Sequence, residues 1–126
     1  MPPFSLSQTV KKIPHFPFET VKNDILGKKY SLSLSFMGPT RAQGLNHEYR
    51  KKDYVPNVLS FPLDAHCGQI VICPAVARKE ASAHFLSVDG YMGFLYIHGL
   101  LHLKGLDHGD EMEKLEKRYV SKYSIK

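Results

Sequence analysis

A chain of 126 residues, 43% hydrophobic and 23% charged, is long enough to bury one real core and ordinary in composition, which excludes a disordered segment and leaves little room for a second domain. The net charge of +5 and pI ≈ 9.2 favour anionic partners, nucleic acid above all. No apolar run reaches the roughly 20 residues of a membrane helix, and "MPPFSLSQTVKK" has no continuous apolar core, so neither a membrane partner nor a secretory leader is expected. One domain over residues 1–126, located in the cytoplasm, is the expectation.

In chain order, "PHFPFETVKNDILGKK" places Phe18, Val21, Ile25 and Leu26 at helical spacing, with Gly27 as a stop. "YSLSLSF" alternates strictly, Tyr30, Leu32, Leu34 and Phe36 against serines, which predicts a half-buried strand at or near a sheet edge. "GPT" breaks it. "LNHEYRKK" fits a short helix that ends before Pro56. "NVLSFPL", stopped by Pro62, and the apolar "QIVIC" read as strands, and "DAHCG" between them is short enough for a hairpin. "AVARKEASAHFL" reads as a helix with Pro74 near its first turn. "GYMGFLYIHGLLHLK" is apolar nearly all round, so this helix belongs in the centre, with Gly105 ending it. "DEMEKLEKRYVSKY" is amphipathic, with Met112, Leu115, Tyr119 and Val120 inward and its acids at the N-terminal end of the helix dipole. Strands early and helices late make the expected class α+β, one small mixed sheet with helices packed on it.

Cys67 and Cys73 have neither zinc-pair nor disulfide-framework spacing and read as core residues. Lys11-Lys12, Lys28-Lys29, Arg50-Lys51-Lys52 and Arg78-Lys79 are scattered basic pairs rather than one tract.

The chemistry concentrates in "HGLLHLKGLDH", residues 98–108. On a helix, positions four apart share one face, about 6 Å apart along the axis, so His98 and His102 project side by side. Gly105 can take the left-handed conformation that reverses the chain and returns His108 to the same face. Two imidazoles on an apolar helix need partners, and a metal ion supplies them. Three nitrogen ligands leave a tetrahedral zinc one position short. Asp107 or Asp110 could close the site, but Asp107 better suits orienting an imidazole from outside, and an open, catalytic ion is favoured, beside which a water would have its pKa lowered toward about 7. The spacing is that of the metzincin protease motif, yet Gly99 stands where that motif carries its general-base glutamate, which argues against peptide hydrolysis. A small residue at 99 fits a close approach of backbone or substrate.

These residues resemble the YbeY family, bacterial rRNA maturation factors described as metal-dependent endoribonucleases. "HGLLHLKGLDH" fits the family's H-G-x-L-H-L-x-G-[aromatic]-D-H, "LNHEYRKKD" its L-N-x-x-[Y/F]-R-x-x-D, "NVLSFP" its D-V-L-S-F-P and "GQIVIC" its G-D-I-V-I-[C/S], in order from about residue 30 to residue 117. Asn57 and Gln69 stand where the family usually has aspartate, and Leu106 replaces the usual aromatic. The resemblance implies an α+β domain with a four-stranded mixed sheet, about five helices and a metzincin-like metal-binding helix and turn. It implies one zinc ion on His98, His102 and His108, cleavage of single-stranded RNA, and a role in small-subunit ribosomal RNA maturation and ribosome quality control, with the ribosome or its proteins as partners. The sequence leaves the oligomeric state open, with a monomer favoured.

Arg50 and His98 are the candidate catalytic residues. Arg50 is the expected phosphate clamp because its planar fork matches phosphate better than lysine does. Lys51, Lys52, Arg78 and Lys79 are weaker candidates for backbone contacts, Ser60 for lining the cleft, and Tyr49, Phe61 and Tyr91 for stacking on bases. Two other readings stand beside the nuclease: a non-catalytic ribosome-assembly factor with a structural zinc, and a metallohydrolase of another substrate.

Overall fold

The structure is a computed structural model and describes residues 2–126. Its elements run β1 (Phe4–Gln8), α1 (Phe18–Leu26), β2 (Ser31–Phe36), α2 (Pro39–Arg50), β3 (Val58–Asp64), β4 (Cys67–Ile72), α3 (Pro74–Glu80), a 3₁₀ turn (Ala81–His84), α4 (Val88–Leu103) and α5 (Asp110–Lys122). The four strands form one mixed sheet in the order β1-β2-β4-β3. β1–β2 and β2–β4 are parallel, and β3–β4 is an antiparallel hairpin. The expected α+β class and four-stranded mixed sheet are therefore what the chain adopts.

Strand alternation splits the interior into two clusters. Leu32, Leu34, Phe36, Ile70 and Ile72 point to one face and join the larger cluster with residues of α1, α4 and α5. Leu59 and Val71 point to the other and join Met37, Ala42 and Cys73, under α2. Helix α4 is the centrepiece: Leu95, Tyr96, Ile97, Leu100 and Leu101 are each 3% exposed or less. The buried Tyr96 hydroxyl donates to the Phe18 carbonyl (2.7 Å), which joins α4 to α1.

Four details differ from the sequence expectation. β1, too short and too serine-rich to stand out in the sequence, adds an edge strand beyond β2, which so lies one strand in from the edge; Ser7 and Ser35 hydroxyls meet across the pair at 2.8 Å. The "GPT" that ends β2 also starts α2, with Pro39 in the first turn where a missing N–H costs nothing. β3 runs through Pro62, which an edge strand tolerates, and the register shifts between Pro62 and Asp64. The helix begun at Pro74 stops at Glu80 and tightens into the 3₁₀ turn, which Phe85 closes in the left-handed conformation (φ 58°).

Candidate metal centre and groove

The C-terminal end of α4 builds the site. Gly105 (φ 107°) closes a Schellman turn in which its own N–H bonds the His102 carbonyl (3.0 Å) and the Leu106 N–H bonds that of Leu101 (3.1 Å). The turn carries His108 back over the helix. The rings of His98, His102 and His108 lie 4.6–5.0 Å apart centre to centre, and one nitrogen of each lies within 4.8 Å of the others. His98 and His102 are half-buried and His108 is exposed.

The outward nitrogens fix the tautomers. His102 Nδ1 can only donate to the Leu106 carbonyl at 2.9 Å, and His98 Nδ1 faces the Glu116 carboxylate at 3.4 Å. Both Nε2 atoms then carry lone pairs, and they face each other at 3.0 Å. Two lone pairs at that distance repel unless a shared proton or a metal ion lies between them. Two nitrogens on a tetrahedral zinc at about 2.0–2.1 Å would stand about 3.3 Å apart, close to what is found here. Burial and the neighbouring His98 lower the pKa of His102, which favours the neutral, ligating form. The donor set thus fits a metal ion. Orientation from outside comes from Glu116 and the Leu106 carbonyl rather than from Asp107.

Gly99 is buried against the sheet. A Cβ there would lie 3.0 Å from Ser60 Oγ and 3.1 Å from Ile70 Cδ1, and the Ser60 hydroxyl donates to the Gly99 carbonyl (3.2 Å). The position that carries glutamate in metzincins is occupied here by strand.

The three histidines open into a cavity of about 570 Å³ that Arg50, Tyr54, Asn57 and Ser60 also line. Arg50 ends α2 and no carboxylate pairs with it among the described residues. The segment from Lys51 to Pro56 is tied to α2 by side chains: Asn46 Nδ2 donates to the Tyr54 carbonyl (3.0 Å), Gln43 to that of Asp53, and His47 pairs with the Asp53 carboxylate (2.8 Å).

The other expected residues divide. Asn57 lies in the cavity, whereas Gln69 is half-buried in β4 and does not line it. Lys51, Lys52, Arg78 and Lys79 are exposed and do not line it. Tyr49 packs on Phe61 (5.3 Å), outside the cavity, and Tyr91 is buried with its hydroxyl on Glu80. Tyr54, Glu80 and Glu116 had not been singled out in the sequence. Glu116 had a readable signal, an acid within the Met112–Leu115–Tyr119 apolar stripe of α5.

Comparison with known proteins gives one answer. The family model described as endoribonuclease YbeY matches residues 3–124. Proteins named endoribonuclease YbeY are 38% identical over 103 residues in Pseudomonas putida strain F1, covering 71% of this chain and 66% of that one, and 36% identical over 104 residues in Finegoldia magna, covering 77% and 68%. A Pseudomonas savastanoi protein of the same name is 40% identical over 99 residues, 68% of this chain and 60% of its own length. The matched part is thus about two thirds of these relatives. The solution structure of TM1509 from Thermotoga maritima shares the fold, with a TM-score of 0.64 at 23% identity over 93% of this chain and 86% of that one.

Proposed function

This chain belongs to the YbeY family, and on that premise we propose that it is a zinc-dependent endoribonuclease that cuts single-stranded RNA in the maturation and quality control of small-subunit ribosomal RNA. The observation that carries the reading is the lone-pair geometry of His98 and His102, with His108 closing the set, beside an unpaired Arg50 in one cavity. His98, His102 and His108 would hold one zinc ion, which would supply Lewis acidity toward a phosphoryl oxygen and lower the pKa of a water.

The chain's own groups do the rest. Arg50 grips a non-bridging phosphate oxygen and stabilises the charge that builds on it as the nucleophile adds. Glu116 holds the His98 ring by its far nitrogen, so that the near one keeps its direction. The Ser60 hydroxyl is spent on the Gly99 carbonyl, which makes it a brace between sheet and helix rather than a nucleophile. A recess of this size suits an unpaired nucleotide, whose base can swing out of stack, and not a duplex. The net charge of +5 favours approach to RNA, and a ribosomal setting in the cytoplasm follows from the family reading.

The test uses nuclease-free protein, zinc, and labelled single-stranded and duplex RNA of one sequence. Cleavage of the single strand, its loss with chelator and its return with zinc are expected. No cleavage with stoichiometric zinc bound would sink the catalytic reading and leave a ribosome-assembly factor with a structural ion.

A further inference from the structure

The groove does not end at the metal cavity. A second recess of about 300 Å³ shares Asn57, Val58 and His98 with it and continues over Glu80, His84 and Phe94. The two halves differ in charge. Arg50 lines the first, whereas no lysine or arginine lines the second, where Glu80 and Glu116 stand instead. Phosphate belongs with Arg50 and is repelled by those carboxylates, so what enters the second recess from a bound RNA strand is a base.

The walls suit one. His84 stacks on Tyr91 (4.7 Å between centroids, 22° between planes), Tyr91 is nearly parallel to Phe94 (6.2 Å, 16°), and Phe94 neighbours His98 (6.3 Å). This row of rings leads from the recess to the metal site, and aromatic rings accept any base on their faces.

One polar group inside it is held for reading. Asn57 Oδ1 accepts from the Val58 N–H (2.7 Å), which fixes the amide so that Nδ2 donates to Glu80 Oε1 (3.0 Å). The Tyr91 hydroxyl donates to the same oxygen (2.8 Å). Oε1 is therefore doubly occupied, and Oε2 has no hydrogen-bond partner among the described residues.

We infer that this recess is a base subsite beside the scissile phosphate, where Phe94 and His84 stack on one unpaired base and Glu80 selects bases bearing an exocyclic amino group over uracil. The inference rests on the RNA reading above. Oε2 accepts an amino N–H of adenine, cytosine or guanine. Uracil offers one N–H between two carbonyl oxygens, and those oxygens meet the carboxylate's lone pairs.

The experiment titrates AMP, CMP, GMP and UMP into the zinc-loaded full chain and follows ring signals of Phe94 and His84 by NMR. The phosphate is common to all four, so only the base differs. The three amino-bearing nucleotides should bind about tenfold tighter than UMP, the worth of one charge-assisted hydrogen bond. Glu80→Gln sharpens the test: the donors Asn57 and Tyr91 hold its amide oxygen in place of Oε1, which puts its NH₂ where Oε2 was and should reverse the preference toward UMP. Equal binding of the four nucleotides, an unchanged preference in Glu80→Gln, or no ring shifts at millimolar nucleotide overturns the inference. RNA cleavage is measured separately: discrimination without cleavage sinks the nuclease and keeps the subsite, and cleavage without discrimination does the reverse.

Discussion

The two layers that meet at the groove hold their share of it by different means. On the α4 side, the residues between the first two histidines are Gly99, Leu100 and Leu101, all buried, and the larger core lies directly beneath. On the α2 side the smaller core buries only Ala42 fully, with Leu45 and Val55 partly buried against it, and the segment after Arg50 is held as much by hydrogen bonds from Gln43, Asn46 and His47, two of which are exposed. Burial of two leucines is worth several kcal/mol, whereas each such hydrogen bond contributes about 0.5–1.5 kcal/mol net. The histidine face should therefore be stiff, and the arm that carries Arg50 should be the first part of the groove to loosen.

Substitutions can break or sharpen that contrast. The largest effect belongs to the stiff side: His102→Ala should leave zinc substoichiometric by metal analysis and take RNA cleavage to background. Arg50→Ala should cut kcat/KM about 10²–10³-fold with zinc content and melting temperature unchanged, as for loss of one charge-stabilising donor; a lost metal or a lowered melting point would show that Arg50 is architecture. Glu116→Gln should weaken zinc affinity about 10–100-fold in a chelator competition, the usual effect of removing a group that orients a ligand. Asn46→Ala should raise KM more than it lowers kcat and speed amide exchange in residues 51–56 alone, at about 1–2 kcal/mol of stability; faster exchange in α4 as well would erase the contrast. The smallest effect concerns a strap outside the groove. Asp24 accepts from Lys122 and from the Tyr123 hydroxyl, each at 2.6 Å, and these bonds hold its carboxyl below the usual carboxylate range. A depressed carboxyl stabilises above its unfolded pKa and loses that as pH falls through the folded one. Asp24→Asn should thus cost less than about 1 kcal/mol near pH 7, and that cost should shrink as pH falls below the usual carboxylate range, by denaturant titration.

The same contrast governs what the sequence made legible. The metal face was readable because one helix and one turn build it: four-residue spacing, a glycine and a returning histidine are all local. α1, α4 and α5 were readable for the same reason. β1 is illegible because it gains its strand state only by pairing with β2, and α2 reads short because Pro39 looks like a break in the sequence when it is a first-turn residue. Glu80 escaped because its role exists only where Asn57 and Tyr91, 23 and 11 positions away, converge on one oxygen. Gly99 was legible as a demand for smallness, but the neighbour that demands it, Ser60 on β3, is 39 positions distant.

The closed turn at Gly105 bears on thermodynamics as well as shape. A third donor on a slack tether would have to be captured afresh each time an ion arrives. Here the tether is cinched before any ion comes, so an ion would meet a ready-made tridentate face, and the ordering entropy is spent once, during folding. Affinity for the ion then depends in part on a residue that never touches it. Forcing a side chain into φ 107° at position 105 would lower that affinity chiefly by lowering the effective concentration of His108 at the site.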